Sequence, residues 1–238
     1  MLNTNNIVPL YQQVGDLLKE RIYNGFYKQS ERIPSEKEIA AEFNVSIITV
    51  RKAIGDLAEE GLLERKQGKG TFVAKPKLKR NLQQVISFTE ACLLNNVKPG
   101  AKLIEKKLLQ PSGYVKTKLD IDPQSDQQVI YISRLRTADG EPVALETNQF
   151  PLRYSFLLDA DMENSSLFEI LKDNGVPEIT CSRRQIEISR ASKDEAELLG
   201  VPKGAPLILI RTVAVLADGK HLFVGTQLIN GERFTLTM

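Results

Sequence analysis

The stretch from Ile33 to Lys52 constrains the fold more than any other part of the chain. Pro34 sets its entry, and Ser35 is followed three residues later by Glu38, the spacing of a capping box. Ile39, Ala40 and Phe43 then form one apolar stripe, so a short helix is predicted. Asn44 tolerates a left-handed turn and Ser46 caps a second helix, in which Val50, Ile54 and Leu57 fall at i, i+4 and i+7 and face inward. Ile47, Thr49, Arg51 and Lys52 are left for the outside. This is the plan of a helix-turn-helix whose second helix is offered to a DNA major groove.

Any small helical hairpin can carry caps, a turn and a basic residue, so the flanking sequence has to decide. Upstream, Leu10, Val14, Leu17, Leu18 and Ile22 form the inner stripe of a helix that stops near Asn24 and Gly25 and packs across the pair. Downstream, Leu62–Lys66 and Gly70–Ala74 read as two short strands around Gln67-Gly68-Lys69-Gly70. A tip with two glycines and one lysine suits entry into a groove and contact with phosphate. From Arg65 to Arg80 every charged residue is basic, seven in all, which is where counterion release from DNA would act.

The 238 residues suffice for two domains of ordinary size, each with its own core. A net charge of +2 excludes a histone-like protein; up to Arg80 fourteen basic side chains stand against ten acidic ones, so the excess lies at the DNA-reading end. Met1–Asn6 lacks a charged-then-apolar signal, and no apolar run approaches the length of a membrane span, so a cytoplasmic protein without membrane contact is expected. Cys92 and Cys181 have no Cys or His nearby and are expected as buried thiols. His221 is the single histidine and sits beside a turn, so neither a metal centre nor a cofactor is expected.

The sequence from 76 to 83, polar and interrupted by Pro76, reads as a linker between a domain at 1–75 and another at 84–238. Beyond it the pattern changes to strands. Val129–Thr147 forms a hairpin about Ala138-Asp139-Gly140, and Leu207–Gly225 repeats the plan about Ala217-Asp218-Gly219, which suggests an internal pseudo-repeat. Helices at Ser166–Asp173 and Lys193–Leu199 and a strand at Ile179–Ser189 complete an α+β domain, an antiparallel sheet with helices against one face. Aligned on their turns, the hairpins match Arg134 with Val213 and Arg136 with Val215. The two arginines, at i and i+2, share one face. Glu146 joins them if the turn is a three-residue loop and leaves them if it is a two-residue one. Such a set suits an anionic, polyhydroxylated ligand, since guanidinium binds phosphate bidentately and a carboxylate accepts hydroxyl protons; a surface ion-pair cluster would need the same residues. Ser87-Phe88-Thr89-Glu90 looks like a capped helix start whose free N–H groups can meet an anion.

Taken together, Pro9-Leu10-Tyr11-Gln12-Gln13, Pro34-Ser35-Glu36, Thr49-Val50-Arg51-Lys52-Ala53, Glu60-Gly61-Leu62 and Gly68–Val73 resemble the winged-helix domain of the GntR superfamily of bacterial repressors. The resemblance implies operator contacts from the residue after Pro-Ser-Glu, here Lys37, from the start of the recognition helix, here Ile47, and from Arg51, with a wing glycine in the minor groove. Lys37 keeps charge but loses the fork that reads guanine, and Ile47 can meet only a thymine methyl or a sugar. The candidate DNA-contacting set is Ser35, Lys37, Ser46, Ile47, Thr49, Arg51 and Lys52, with Gly68, Lys69 and Gly70 at the wing tip.

Ile86–Glu90, Ser133–Arg136, Glu146, Ser166-Leu167-Phe168 and Asn230–Phe234 resemble the UTRA effector domain of the HutC-type branch, whose fold is similar to chorismate lyase. That implies a pocket made by Ser87, Phe88, Thr89, Arg134, Arg136, Glu146 and Ser166. Phe168 and Phe223 stand where amino-sugar-responsive members carry Tyr and Glu, and so withdraw two polar partners. The expectation is a homodimeric repressor that leaves a palindromic operator when a small anion, a phosphorylated sugar or a relative of one, fills this pocket. The competing reading is a chorismate-lyase-like enzyme fused to a DNA-binding domain; the sequence offers it no Ser/His/Asp set, metal cluster or cysteine in a basic setting.

Overall fold

A computed structural model describes residues 7–75 and 77–237. It divides into two compact units, residues 1–76 and 77–238.

In the first unit α1 (Leu10–Tyr23), α2 (Glu36–Phe43) and α3 (Ile47–Glu59) precede a two-stranded wing, β1 (Leu63–Lys66) and β2 (Gly70–Val73). The caps form as the residue types dictate. The Ser35 hydroxyl accepts from the Glu38 N–H while the Glu38 carboxylate accepts from the Ser35 N–H, Asn44 takes φ +53°, and the Ser46 hydroxyl accepts from the Thr49 N–H. Val14, Leu18, Ile39, Val50, Ile54 and Leu57 make the core with Leu63 and Val73. At the wing Gly70 has φ +113°, and a side chain there would lie 2.7 Å from the Arg32 Nε. Gly70 thus lets the 31–33 segment lie against β2, where Arg32 bridges Phe72.

The second unit is a six-stranded antiparallel sheet of order β4-β5-β6-β9-β8-β7. Its elements are α4 (Phe88–Leu94), β4 (Pro99–Leu109), α5 (Gly113–Lys118), β5 (Val129–Ala138) and β6 (Glu141–Pro151), then α6 (Leu167–Asp173), β7 (Ile179–Arg190), α7 (Lys193–Leu199), β8 (Pro206–Leu216) and β9 (His221–Asn230). The order α-β-α-β-β occurs twice, and the two halves meet at β6 and β9. The pseudo-repeat therefore extends further than the hairpins. Its residue alignment needs correction, however. The first turn has two residues, Asp139 and Gly140, and the second has three, closed by Leu216 and Lys220. One extra residue flips the faces, so Val213 packs with Val115 and Val224 behind the sheet, while Thr212 and Ala214 lie on the side of the arginines.

Helices cover both faces rather than one. α4 and α6 pack on the arginine side, with Phe88, Cys92, Leu167 and Leu171 buried there. α5 and α7 cover the other side through Val115, Leu119, Ala196 and Leu199. The reason lies in the strands: β5 alternates Val129 and Leu135 against Ile130 and Ile132, apolar on both faces, so both must be covered.

The expected linker is also corrected. Leu78–Asn81 forms β3, paired in parallel with β10 (Phe234–Thr237), and Leu78 and Phe234 are buried against α4. Asn95 locks this arrangement by accepting from the Lys79 N–H and donating to the Lys79 carbonyl, both at 2.9 Å. Pro76 lies outside the described residues, as do Met1–Asn6 and the Cys181 side chain expected to be a buried thiol. Cys92 is a buried thiol, pushed up to about 11 by burial.

Replacing Gly70 by alanine should destabilise the first unit by about 1–3 kcal/mol, the usual cost of forcing a side chain into such backbone. A lowered urea midpoint at unchanged m-value, read on the helical signal, would show it.

Candidate DNA-reading surface and effector pocket

On the first unit the structure brings the predicted set to one surface but engages its members differently. Arg51 is 62% exposed in its side chain, and its Nε donates to the Glu36 carboxylate at 2.9 Å. Arg65 from β1 donates to the Arg51 carbonyl at 3.0 Å and reaches the other Glu36 oxygen at 3.4 Å. Glu36 thus fixes Arg51 by its inner nitrogen and leaves the two terminal nitrogens as the outward edge, the edge that reads guanine. Lys52 is turned aside, paired with Asp56 at 3.2 Å and lying 4.4 Å over the Tyr11 ring. The Ser35, Ser46 and Thr49 hydroxyls serve the helix starts. Lys37 is exposed, Gly68 has φ +72° at the wing tip beside exposed Lys69, and Lys66 lies over the Phe72 ring. Ile48, 77% exposed, was missed beside the half-exposed Ile47. Its lack of any inward partner in the helical repeat was the available signal.

On the second unit Arg134 and Arg136 are 1% and 2% exposed, so the surface-cluster alternative is wrong. Glu146 stands directly opposite Arg134, although the two-residue turn alone would have put it on the other face. A β-bulge at Val143 shifts the register between Arg136 and Thr137 and restores it. Arg134 donates to Glu146 at 2.8 Å, and both arginines donate to the Ser165 carbonyl just before α6. Arg136 also donates to the Thr89 hydroxyl at 3.2 Å and lies 4.5 Å from the Phe88 ring centre. The Nε atoms of both arginines are buried without a hydrogen-bond partner among the described residues.

The charges respond as this geometry requires. Burial drives the Glu146 carboxyl upward, but Arg134, Arg136 and the hydrogen bond from Gln227 more than offset it and hold it below the ordinary carboxylate range. Burial brings Arg136 down to about 10, with Glu146 opposing and Arg134 adding to the fall. Arg136 is still a cation at neutral pH. Unlike Arg134, it has no carboxylate within ion-pair distance among the described residues.

Ser87, Phe88, Thr89, Ser166 and Phe168 close a crevice of about 10 Å³ over the arginines. The Ser87 and Ser166 hydroxyls accept from the Glu90 and Glu169 N–H groups, so they cap α4 and α6. The crevice adjoins a cavity of about 50 Å³ that reaches Phe223, Asn148 and Gln227. Several residues of this region were not foreseen, among them Gln227, Arg80, Asn148 and Arg184. Gln227 donates to Glu146 at 3.0 Å and accepts from Arg80 at 2.6 Å, and Arg80 is buried. Arg80 had been read as one charge of the basic run. Asn148, two residues from Glu146 on the same face, could have been found by alternation; Gln227 could not, since it arrives through the nonlocal pairing of β9 with β6.

These two units define a winged-helix DNA-binding protein with a separate polar pocket for a small ligand. Residues 10–73 match bacterial regulatory proteins of the gntR family, and residues 95–235 match the UTRA domain. The chain belongs to the GntR family, as a transcriptional repressor of the HutC type carrying a UTRA domain, and it is not an enzyme. It is 34% identical over 235 residues to the transcriptional repressor NagR of Bacillus subtilis, covering 98% of this chain and 96% of that one. It is 31% identical over 230 residues to a probable fructoselysine utilization operon repressor of Shigella flexneri, with 96% and 93% covered. Among solved structures, PhnF from Mycobacterium smegmatis is similar at a TM-score of 0.70 and 28% identity, with 96% of this chain and 97% of that chain covered. No helix among the described residues is long and apolar enough to cross a membrane.

Arg134→Gln, which strands the Glu146 carboxylate in the interior, should cost about 3–5 kcal/mol in urea unfolding, whereas Arg136→Gln should cost far less because no carboxylate loses its partner. Because the folded Glu146 carboxyl lies below its unfolded value of about 4.3, its contribution is complete above that pH and is lost as pH falls through the folded value. Glu146→Gln should therefore flatten the acid limb of a stability-against-pH curve.

Proposed function

We propose that this protein represses transcription as a homodimer on a near-palindromic operator and is released when a small anionic, phosphorylated sugar-like effector binds the second unit. The observation that carries the reading is Arg136, a buried guanidinium beside an already paired arginine, which lines a crevice and has an Nε without a hydrogen-bond partner among the described residues. An isolated buried charge is costly, and an anion placed there would supply the missing counter-charge and accept from the open nitrogens. The relatives' names support the sugar side: one concerns fructoselysine utilization, and another is the mannosyl-D-glycerate transport/metabolism system repressor MngR of Escherichia coli. One winged helix spans only a half-site, which is why a two-fold dimer is inferred.

Coupling to DNA would run along the chain itself. β3 is the first element after residue 76, and its Arg80 reaches Glu146 through Gln227. A ligand that competes for Gln227 and Glu146 alters what holds β3, and differential binding of roughly 1–3 kcal/mol is the usual size of such linkage.

Selection from a random duplex library should return an inverted repeat, and phosphorylated sugars should release the selected duplex in an anisotropy titration. Recovery of an asymmetric site, or of none, would refute the dimer model. Arg51→Ala should weaken that duplex by about 1–3 kcal/mol and relax the preference for one base pair per half-site. Lys52→Ala should change affinity little, since its ammonium is held by Asp56 and Tyr11. Arg136→Gln should bind the duplex normally and ignore the effector; normal induction of this variant would remove the anion seat.

A further inference from the structure

The pocket does not end at the arginine pair. Across the sheet, Asn148 on β6 is in register with Gly225 on β9, Gly225 with Thr212 on β8, and Thr212 with Arg184 on β7. This row forms the floor of the cavity beside the arginine crevice. Asn148 is 3% exposed, and its amide nitrogen has no hydrogen-bond partner among the described residues. Gly225 keeps it open: a side chain there would come within 2.8 Å of the Asn148 amide oxygen and 3.0 Å of the Phe223 ring. A buried amide donor left idle at a cavity wall costs stability unless something accepts from it. Arg80 and Arg184 line the same space.

The charges on crevice and cavity together are unequal. Three guanidinium groups, Arg134, Arg136 and Arg184, face one carboxylate, Glu146, among the described lining residues. Arg184 donates to the Leu82 and Gln84 carbonyls, which orients it without neutralising it. A ligand with a single acid group on the Arg134–Arg136 pair would leave the far end of the cavity still cationic. From this we infer that the effector is a polyhydroxylated chain with an acid group at each end. One acid group sits on Arg134 and Arg136, and the other, a carboxylate or a second phosphate, lies toward Arg184, with a ligand oxygen accepting from Asn148. This rests on the anion seat proposed above and adds the second pole.

The test uses thermal shift on the full chain at one fixed ionic strength. Glucose 6-phosphate and glucitol 6-phosphate carry one acid group; 6-phosphogluconate and fructose 1,6-bisphosphate carry one at each end. The double-ended probes should act at concentrations lower by about tenfold or more, equivalent to roughly 1.4 kcal/mol. Arg184→Gln should abolish that advantage while leaving the single-ended response unchanged, and Arg184→Lys, which keeps the charge, should retain it. Equal responses to both classes in the unmodified protein, or an advantage that survives Arg184→Gln, would overturn the second pole and leave the anion seat standing. No response to any of these probes up to millimolar concentration would overturn the seat and the second pole with it.

Discussion

The second unit depends on how a pair of guanidinium groups is held inside a sheet. Arg134 and Arg136 occupy consecutive inward positions of β5, where the strand otherwise carries isoleucine, and an ionised side chain there is tolerated only with a counter-charge and satisfied hydrogens. Glu146 supplies the counter-charge to one of them. It can do so because β6 carries an additional residue, Val143, between the turn and the carboxylate. Without that residue Glu146 would project to the α7 side, among Leu135, Leu145 and Leu199, and both faces would be wrong at once. One bulge thus sets the register of the central hairpin and the electrostatics of the pocket together.

Satisfaction of the pair is incomplete although three elements close on it. The Ser165 carbonyl receives a nitrogen from each arginine, and Thr89 receives one from Arg136, so the sheet, the start of α4 and the start of α6 converge on the same two groups. Because α4 and α6 begin the two halves of the repeated α-β-α-β-β plan, the pocket sits where the halves face each other. What remains unfilled is the Nε of each arginine, and on the proposed reading a ligand reaches Arg136 without first displacing a protein carboxylate.

Much of this was legible from residue order alone, for local reasons. The caps at Ser35, Ser46 and Ser87, the left-handed Asn44 and the inward stripe of α3 depend on neighbours within a few positions, and all form as read. The pairing of the arginines on one face follows from strand alternation. What escaped was nonlocal. Whether Glu146 joins them depends on a bulge that turn chemistry does not reveal, and the alignment of Arg134 with Val213 failed because equal Ala-Asp-Gly triplets close loops of unequal length. The linker reading failed for a related reason: Lys77 and Lys79 are exposed as the run suggests, but Arg80 looks solvated until β10 arrives from the far end of the chain and turns Leu78 and Arg80 inward.

Arg80 shows why that last failure has functional weight. A basic residue next to a winged helix is most simply a phosphate contact, and an exposed member of the run such as Lys69 can keep that role. Arg80 cannot, because its side chain is buried and donates to Gln227, one hydrogen bond from Glu146. The strand that follows the winged-helix unit is therefore tied to the same polar chain that lines the proposed effector cavity. On the proposed reading, a ligand that takes Gln227 or Glu146 need not move the sheet to change the hydrogen bonds that hold β3. Because β3 is the first element after the boundary between the units, this is the shortest path along the chain from the pocket toward the wing.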